Sequence, residues 1–118
     1  MKNSEKVAEL LIKHGADVMA TDSSDETPLH YTAVHDAEEL ADLLIRNGAD
    51  VDAKNSFGRT PLIYAIAFGN MMEVAEMLIE NGANVNIQDD IGETPLKWAK
   101  WKNKQKLVEL LERHMEHE

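Results

Sequence analysis

Thr-Pro-Leu occurs at Thr27-Pro28-Leu29, Thr60-Pro61-Leu62 and Thr94-Pro95-Leu96, with spacings of 33 and 34 residues. A second string keeps the same beat, at Gly15-Ala16-Asp17, Gly48-Ala49-Asp50 and Gly82-Ala83-Asn84. Each glycine precedes the next Thr-Pro by 12 positions. Two independent strings in one register imply a stack of similar units, since a unit of this length cannot bury its apolar face alone. The 118 residues have room for about three and a half such units in a single domain.

The residues assign the same parts to every unit. Thr before Pro predicts a helix start, with the hydroxyl accepting an orphan amide and Pro fitting the first turn. About nine residues later stand Asp36, Gly69 and Asn103, residue types that tolerate the left-handed backbone of a tight turn. An amphipathic second helix follows. Its buried stripe recurs as Val7-Leu10-Leu11, Leu40-Leu43-Leu44, Val74-Met77-Leu78 and Leu107-Leu110-Leu111, at the i, i+3, i+4 spacing of one face. Gly15, Gly48 and Gly82 end that helix. Asn55-Ser56-Phe57-Gly58 and Asp89-Asp90-Ile91-Gly92 carry the turn chemistry of a projecting, hairpin-like loop. The unit reads as turn, short helix, longer helix, and the fold class as all-α with short β-hairpin-like loops.

On these residues the chain resembles the ankyrin-repeat family. Thr27-Pro28-Leu29-His30 keeps that family's motif intact. The resemblance implies an ankyrin solenoid in one domain over 1–118: a partial amino-terminal repeat (1–20), a repeat at 21–53, one at 54–87 with an extra residue, and a carboxyl-terminal capping repeat at 88–118. It also implies that His30 ties its helix to the neighbouring loop by hydrogen bonds. Three departures stand out. Asp25 replaces the turn glycine of Gly58 and Gly92, Ile63 and Lys97 replace His30, and the extra residue falls near Gly69-Asn70-Met71-Met72, where a widened turn is expected.

The ends of a stack need polar outer faces. Ile12, Ile45 and Ile79 are followed in register by Glu112, and Ala33 and Ile66 by Lys100, which marks a carboxyl-terminal cap. At the amino-terminal end Val7, Leu10 and Leu11 keep the internal pattern. That end is either ragged, shortened, or covered by a second chain.

A net charge of −10 and a pI near 4.9 disfavour nucleic acid and anionic membranes and favour a basic protein partner. The charge is uneven, however. Residues 14–53 carry ten acids against Arg46 alone, whereas 97–106 (KWAKWKNKQK) carry five lysines and no acid. Cap solubility accounts for Lys100 and a solvated turn for Lys102, Lys104 and Lys106; a protein contact at Trp101 is the functional alternative. There is no cysteine, no apolar run of roughly 20 residues and no signal-peptide pattern, so a cytoplasmic or otherwise intracellular protein is expected.

No nucleophile, phosphate-loop or zinc-protease motif is present, and no enzyme, cofactor or metal is expected. His114 and His117, three apart, lie in a terminal segment where metal binding is a remote reading. Glu9/Lys13, Asp42/Arg46 and Glu109/Arg113 read as solvent-face i, i+4 pairs. What remains is a surface. The resemblance implies a concave groove, made by loop tips and the exposed side of the first helices, that binds another protein. Carried over by position, its residues are Ser23, Ser24, Glu26, Val34 and His35, then Ser56, Phe57, Arg59 and Phe68, then Asp90, Ile91, Glu93, Trp101 and Lys102. Phe57, Phe68, Ile91 and Trp101 carry most weight, because an apolar side chain at a loop tip has no core to fill. The alternative is a structural spacer or self-associating fragment of a longer array, monomeric or weakly joined through the amino-terminal face.

Overall fold

A computed structural model describes residues 18–69 and 72–115. The amino-terminal stripe at Val7-Leu10-Leu11, Gly15, the Glu9/Lys13 pair and His117 therefore lie outside the described residues. The helices are α1 (Pro28–His35), α2 (Glu38–Arg46), α3 (Pro61–Phe68), α4 (Glu73–Glu80), α5 (Pro95–Trp101) and α6 (Gln105–Met115). Among the described residues there is no strand.

Each Thr-Pro opens a helix in the same way. Thr27, Thr60 and Thr94 hold extended backbone at ψ 166°, 167° and 164°. Their hydroxyls accept from the amides of His30, Ile63 and Lys97 at 3.4, 3.3 and 3.2 Å. Asp36 and Asn103 close α1 and α5 at φ 51° and 57°, in the left-handed region where their short polar side chains are tolerated. Gly48 and Gly82 do the same after α2 and α4, at φ 94° and 89°. There the amides of Ala49 and Ala83 reach back to the carbonyls of Leu44 and Leu78 at 3.0 Å.

Like packs on like. α1 lies against α3 and α3 against α5, while α2 lies against α4; each first helix also packs on its own second helix. Leu29, Leu62 and Ile66 on the first helices are fully buried with Leu44, Leu78, Leu107 and Leu111 on the second. Lys100 and Glu112 are both exposed where Ile66 and Ile79, in the same register positions of the preceding unit, are buried.

Two details depart from the uniform unit. Gly69 does not turn left-handed: it sits at φ −79°, ψ 149°. Its glycine is needed for space instead, because a Cβ would stand 2.6 Å from the Ala65 carbonyl oxygen and 2.9 Å from that of Ala33. The second helix is also not longer here. α3 and α4 both have eight residues, and α4 begins one position later in register than α2 and α6. Neighbouring units close the gap. Lys104 donates from Nζ to the carbonyls of Ile66 (2.7 Å) and Gly69 (3.0 Å) at the end of α3. The Val74 amide at the start of α4 donates to Asp36 Oδ1 at 3.3 Å. Burial lowers the Lys104 ammonium pKa, with nearby Lys102 adding to the effect. Burial raises that of Asp36, opposed by the bond from Val74.

Candidate functional site

Three hairpin-like loops precede the first helices, and each is organised by one Asx residue. Asp22 Oδ1 accepts from the amides of Ser24 and Glu26 at 2.8 and 2.9 Å. Asn55 Oδ1 accepts from Phe57 and Arg59 at 2.9 and 3.0 Å, and Asp89 Oδ1 from Ile91 and Glu93 at 3.1 and 2.8 Å. The two amide bonds hold the Asp22 carboxyl below its usual range. Asp25, Gly58 and Gly92 take the left-handed corner at φ 60°, 72° and 82°, so Asp25 does substitute for the turn glycine. Each loop has two internal main-chain bonds, such as Asn55 N–H to Arg59 O and Gly58 N–H to Asn55 O, both at 3.0 Å, and this is too little pairing for a strand. Main-chain bonds from Ser56 to Ser24 (2.9 Å) and from Asp90 to Phe57 (3.0 Å) set the loops side by side.

His30 makes the ties that the family resemblance implies. The Thr27 amide donates to its Nδ1 at 3.1 Å, so Nδ1 is unprotonated and Nε2 carries the hydrogen. Nε2 then donates to the Arg59 carbonyl at 2.8 Å. The ring is wholly buried, and burial pushes its pKa down despite the Arg59 carbonyl and the charges of Glu26 and Asp22.

From His30 a ladder of rings runs across the first helices. His30 meets Tyr64 edge-on at 5.2 Å, Tyr64 meets Phe68 at 5.3 Å, Phe68 meets Trp98 at 6.3 Å, and Trp98 meets Trp101 at 5.4 Å. The inner rings are pinned by polar bonds. The Tyr64 hydroxyl donates to Glu26 Oε2 and accepts from Asn55 Nδ2 at 2.9 Å, while Trp98 Nε1 donates to Asp89 Oδ2 at 3.2 Å. Burial, then the Glu26 carboxylate, push the Tyr64 hydroxyl up to about 12.

Arg59 stands at the centre. Its guanidinium carbon lies 5.5 Å from the Phe57 ring centroid, 5.7 Å from Phe68 and 5.5 Å from Trp98. Nε faces Asp89 Oδ2 at 3.6 Å, close enough for an ion pair but beyond a hydrogen bond. A cation over several ring faces is attracted by each and fixes their relative positions.

The candidate residues divide into two groups. Phe57, Phe68, Arg59 and Trp101 come together in this cluster. Ile91 is exposed on the adjoining loop, as are Ser23, Ser56 and Asp90 on theirs and Lys102 after α5. Glu26, Glu93 and Ser56 have partners within the chain: Tyr64, Lys97 (3.6 Å) and Asp25 (3.2 Å). The Ser24 carbonyl is taken by Ser56, and His35 stacks on Tyr31 at 4.3 Å. Val34 is partly buried and packs against the core, so it is less available than its position suggested. Sequence reasoning missed Tyr64 and Trp98 as supports of the cluster, and Tyr31, which is exposed. A signal was present: Asp22, Asn55 and Asp89 each precede an aromatic residue by nine positions.

Among the described residues the ion pairs are Asp42–Arg46, Arg59–Asp89 and Lys97–Glu93. Asp42–Arg46 closes as expected; Glu109 and Arg113 do not pair. No set of three side chains suited to a metal ion occurs among the described residues, and no helix among them is long and apolar enough to cross a membrane.

No curated protein matches the chain. A family model described as ankyrin repeats (three copies) matches residues 1–55 and 33–117. Ankyrin repeats are generally protein–protein interaction modules and are typically not catalytic. With this match extending over the capped first helices, the side-by-side loops and the paired second helices, the chain belongs to the ankyrin-repeat family.

Proposed function

We propose that the chain is a non-catalytic interaction module that holds a partner protein in a concave groove formed by the loop tips and the exposed side of the first helices. One observation supports this most directly. Phe57, Phe68, Ile91 and Trp101 are 56%, 47%, 66% and 67% exposed, and three of them belong to one cluster around Arg59. Isolated apolar residues on a surface are ordinary, but a rigid aromatic group with an arginine at its centre has the composition of interface anchors. Phe68 and Trp101 rest on Tyr64 and Trp98, and Phe57 lies against Arg59, before any partner arrives, so the ordering cost left for binding is reduced. The net charge of −10 favours a partner whose overall surface is basic.

The test is capture of partner from an extract of the source cell, using Phe57→Ala and Trp101→Ala. Both should reduce capture while changing unfolding free energy by no more than about 0.5–1 kcal/mol, as expected for exposed sites. Parallel loss of capture and stability would assign the rings to packing and remove the proposal.

A further inference from the structure

Around Trp101 the sign of the molecule reverses. Its ring stands between two clefts, one lined by Glu93, Lys97, Lys100 and Trp101, the other by Trp98, Trp101 and Lys102. Trp101 is 67% exposed although it rests on Trp98, so the ring forms a ridge with ammonium groups on both flanks. The Lys97 side chain is 68% exposed and meets Glu93 at 3.6 Å. Lys100 and Lys102 are exposed, and neither joins an ion pair among the described residues. Lys104 is different: it turns inward to cap α3. Three lysines thus surround one aromatic ridge, with a single carboxylate among them.

We infer that this corner docks an acidic segment of a protein partner, with an aliphatic or aromatic side chain against Trp101 and carboxylates reaching Lys97, Lys100 and Lys102. This rests on the groove reading and adds a polarity to it: the partner's acidic segment lies at the α5 end, while its basic surface faces the acid-rich loops of Asp22, Asp25 and Glu26. Charge complementarity argues for a short acidic segment over a nucleic acid. A long polyanion leaving the corner would run along a body of net charge −10, including Asp89 and Asp90 on the adjacent loop, whereas a peptide can confine its carboxylates to the ridge. The match is also local and exposed, so it must be sensitive to salt.

The experiment uses the full chain at low ionic strength and follows the Trp101 indole N–H signal by NMR. Two synthetic peptides are titrated, each with a central Leu-Phe flanked on both sides by two glutamates or by two lysines, followed by a short oligothymidine. The glutamate peptide should shift the Trp101 signal saturably and bind about fivefold or more tightly than the lysine peptide, the cumulative effect of a few exposed ion pairs. Lys100→Glu/Lys102→Glu should invert that preference, and Trp101→Ala should abolish binding, both with backbone signals elsewhere unmoved. A lysine peptide that binds as well as the glutamate one would overturn the polarity and leave the groove reading standing. Failure of both peptides to shift any signal from Phe57, Phe68 or Trp101 would count against the groove itself. Tighter binding of oligothymidine than of the glutamate peptide would replace the inference with a polyanion surface. A Trp101 shift on raising protein concentration alone would replace it with a contact between copies.

Discussion

His30 shows how one side chain can couple two repeats and make their contact sensitive to acid. Its ring accepts from Thr27 on one nitrogen and donates to Arg59 on the other, an arrangement only the neutral ring can satisfy. Protonating Nδ1 would set one N–H against another in a buried site. The folded pKa is accordingly lowered, while the unfolded chain titrates near 6.5. The unfolded state therefore takes up the proton first, so this contribution to stability is complete above about pH 6.5 and is lost as pH falls below it. In urea unfolding, stability should decrease between pH 7.5 and 5, by at most about 1.4 kcal/mol per pH unit from this group. His30→Gln should cost roughly 1–3 kcal/mol at pH 7.5, because a buried carbonyl and amide lose well-placed partners. It should also flatten that part of the pH slope. An unchanged slope would place the acid sensitivity elsewhere. Because Ile63 and Lys97 occupy the same register position, the loop that follows Arg59's own unit has no such tie.

At the scale of the element, α3 closes differently from α1 and α5, and a neighbouring unit supplies its end. α1 and α5 close on left-handed Asp36 and Asn103, with the amides of Ala37 and Lys104 returning to Thr32 and Ala99 at 3.0 and 2.9 Å. α3 ends in extended backbone at Gly69, and the Lys104 ammonium supplies donors to its last carbonyls. Lys104→Met keeps the aliphatic stem and removes the charge. It should cost about 1–3 kcal/mol and raise hydrogen exchange at the end of α3 more than in α1. Gly69→Ala should be at least as damaging even though φ −79° suits alanine, since the new methyl meets two carbonyl oxygens of the chain itself. If Gly69→Ala is neutral in thermal unfolding, that close approach is not a constraint. Much of this was legible in the sequence and some was not. The helix starts followed from Thr-Pro and the place of the extra residue from a spacing of 34 where 33 was due. The extended Gly69 did not follow, because the sequence pointed to a left-handed turn there; the Asn70-Met71 part of the expected widened turn lies outside the described residues. That Lys104 turns inward while Lys100 and Lys102 remain in solvent could not be read, because a lysine after a helix turn is ordinarily solvated. Nor could the ring cluster, since the contacts of Trp98 with Arg59 and Phe68 join residues of different units, and periodicity within a unit carries no information about them.

For the whole molecule, stability is a sum over neighbouring faces, and the final face determines whether the sum stops. Ile66 and Ile79 are 0% and 3% exposed. Lys100 and Glu112 hold the same register positions in the last unit, and both stand in solvent. The difference is one of position in the stack, since the helices that carry them, α5 and α6, pack internally as their predecessors do. Restoring the internal residues with Lys100→Ile/Glu112→Ile should therefore leave the fold intact and open a new apolar face at the end of the stack. Such a face has no partner among the described residues and would be covered by another copy, and because the two ends of a stack differ, that contact need not close into a dimer. Light scattering across a concentration series should show mass rising with concentration in the double variant well beyond any rise in the parent. Far-UV circular dichroism should be unchanged. Lys100→Gln/Glu112→Gln, which removes the charges but keeps the face polar, should behave as the parent does. If the isoleucine variant associates no more than the glutamine one, the end of the stack is closed by something other than these two charges, and the capping role assigned to them fails.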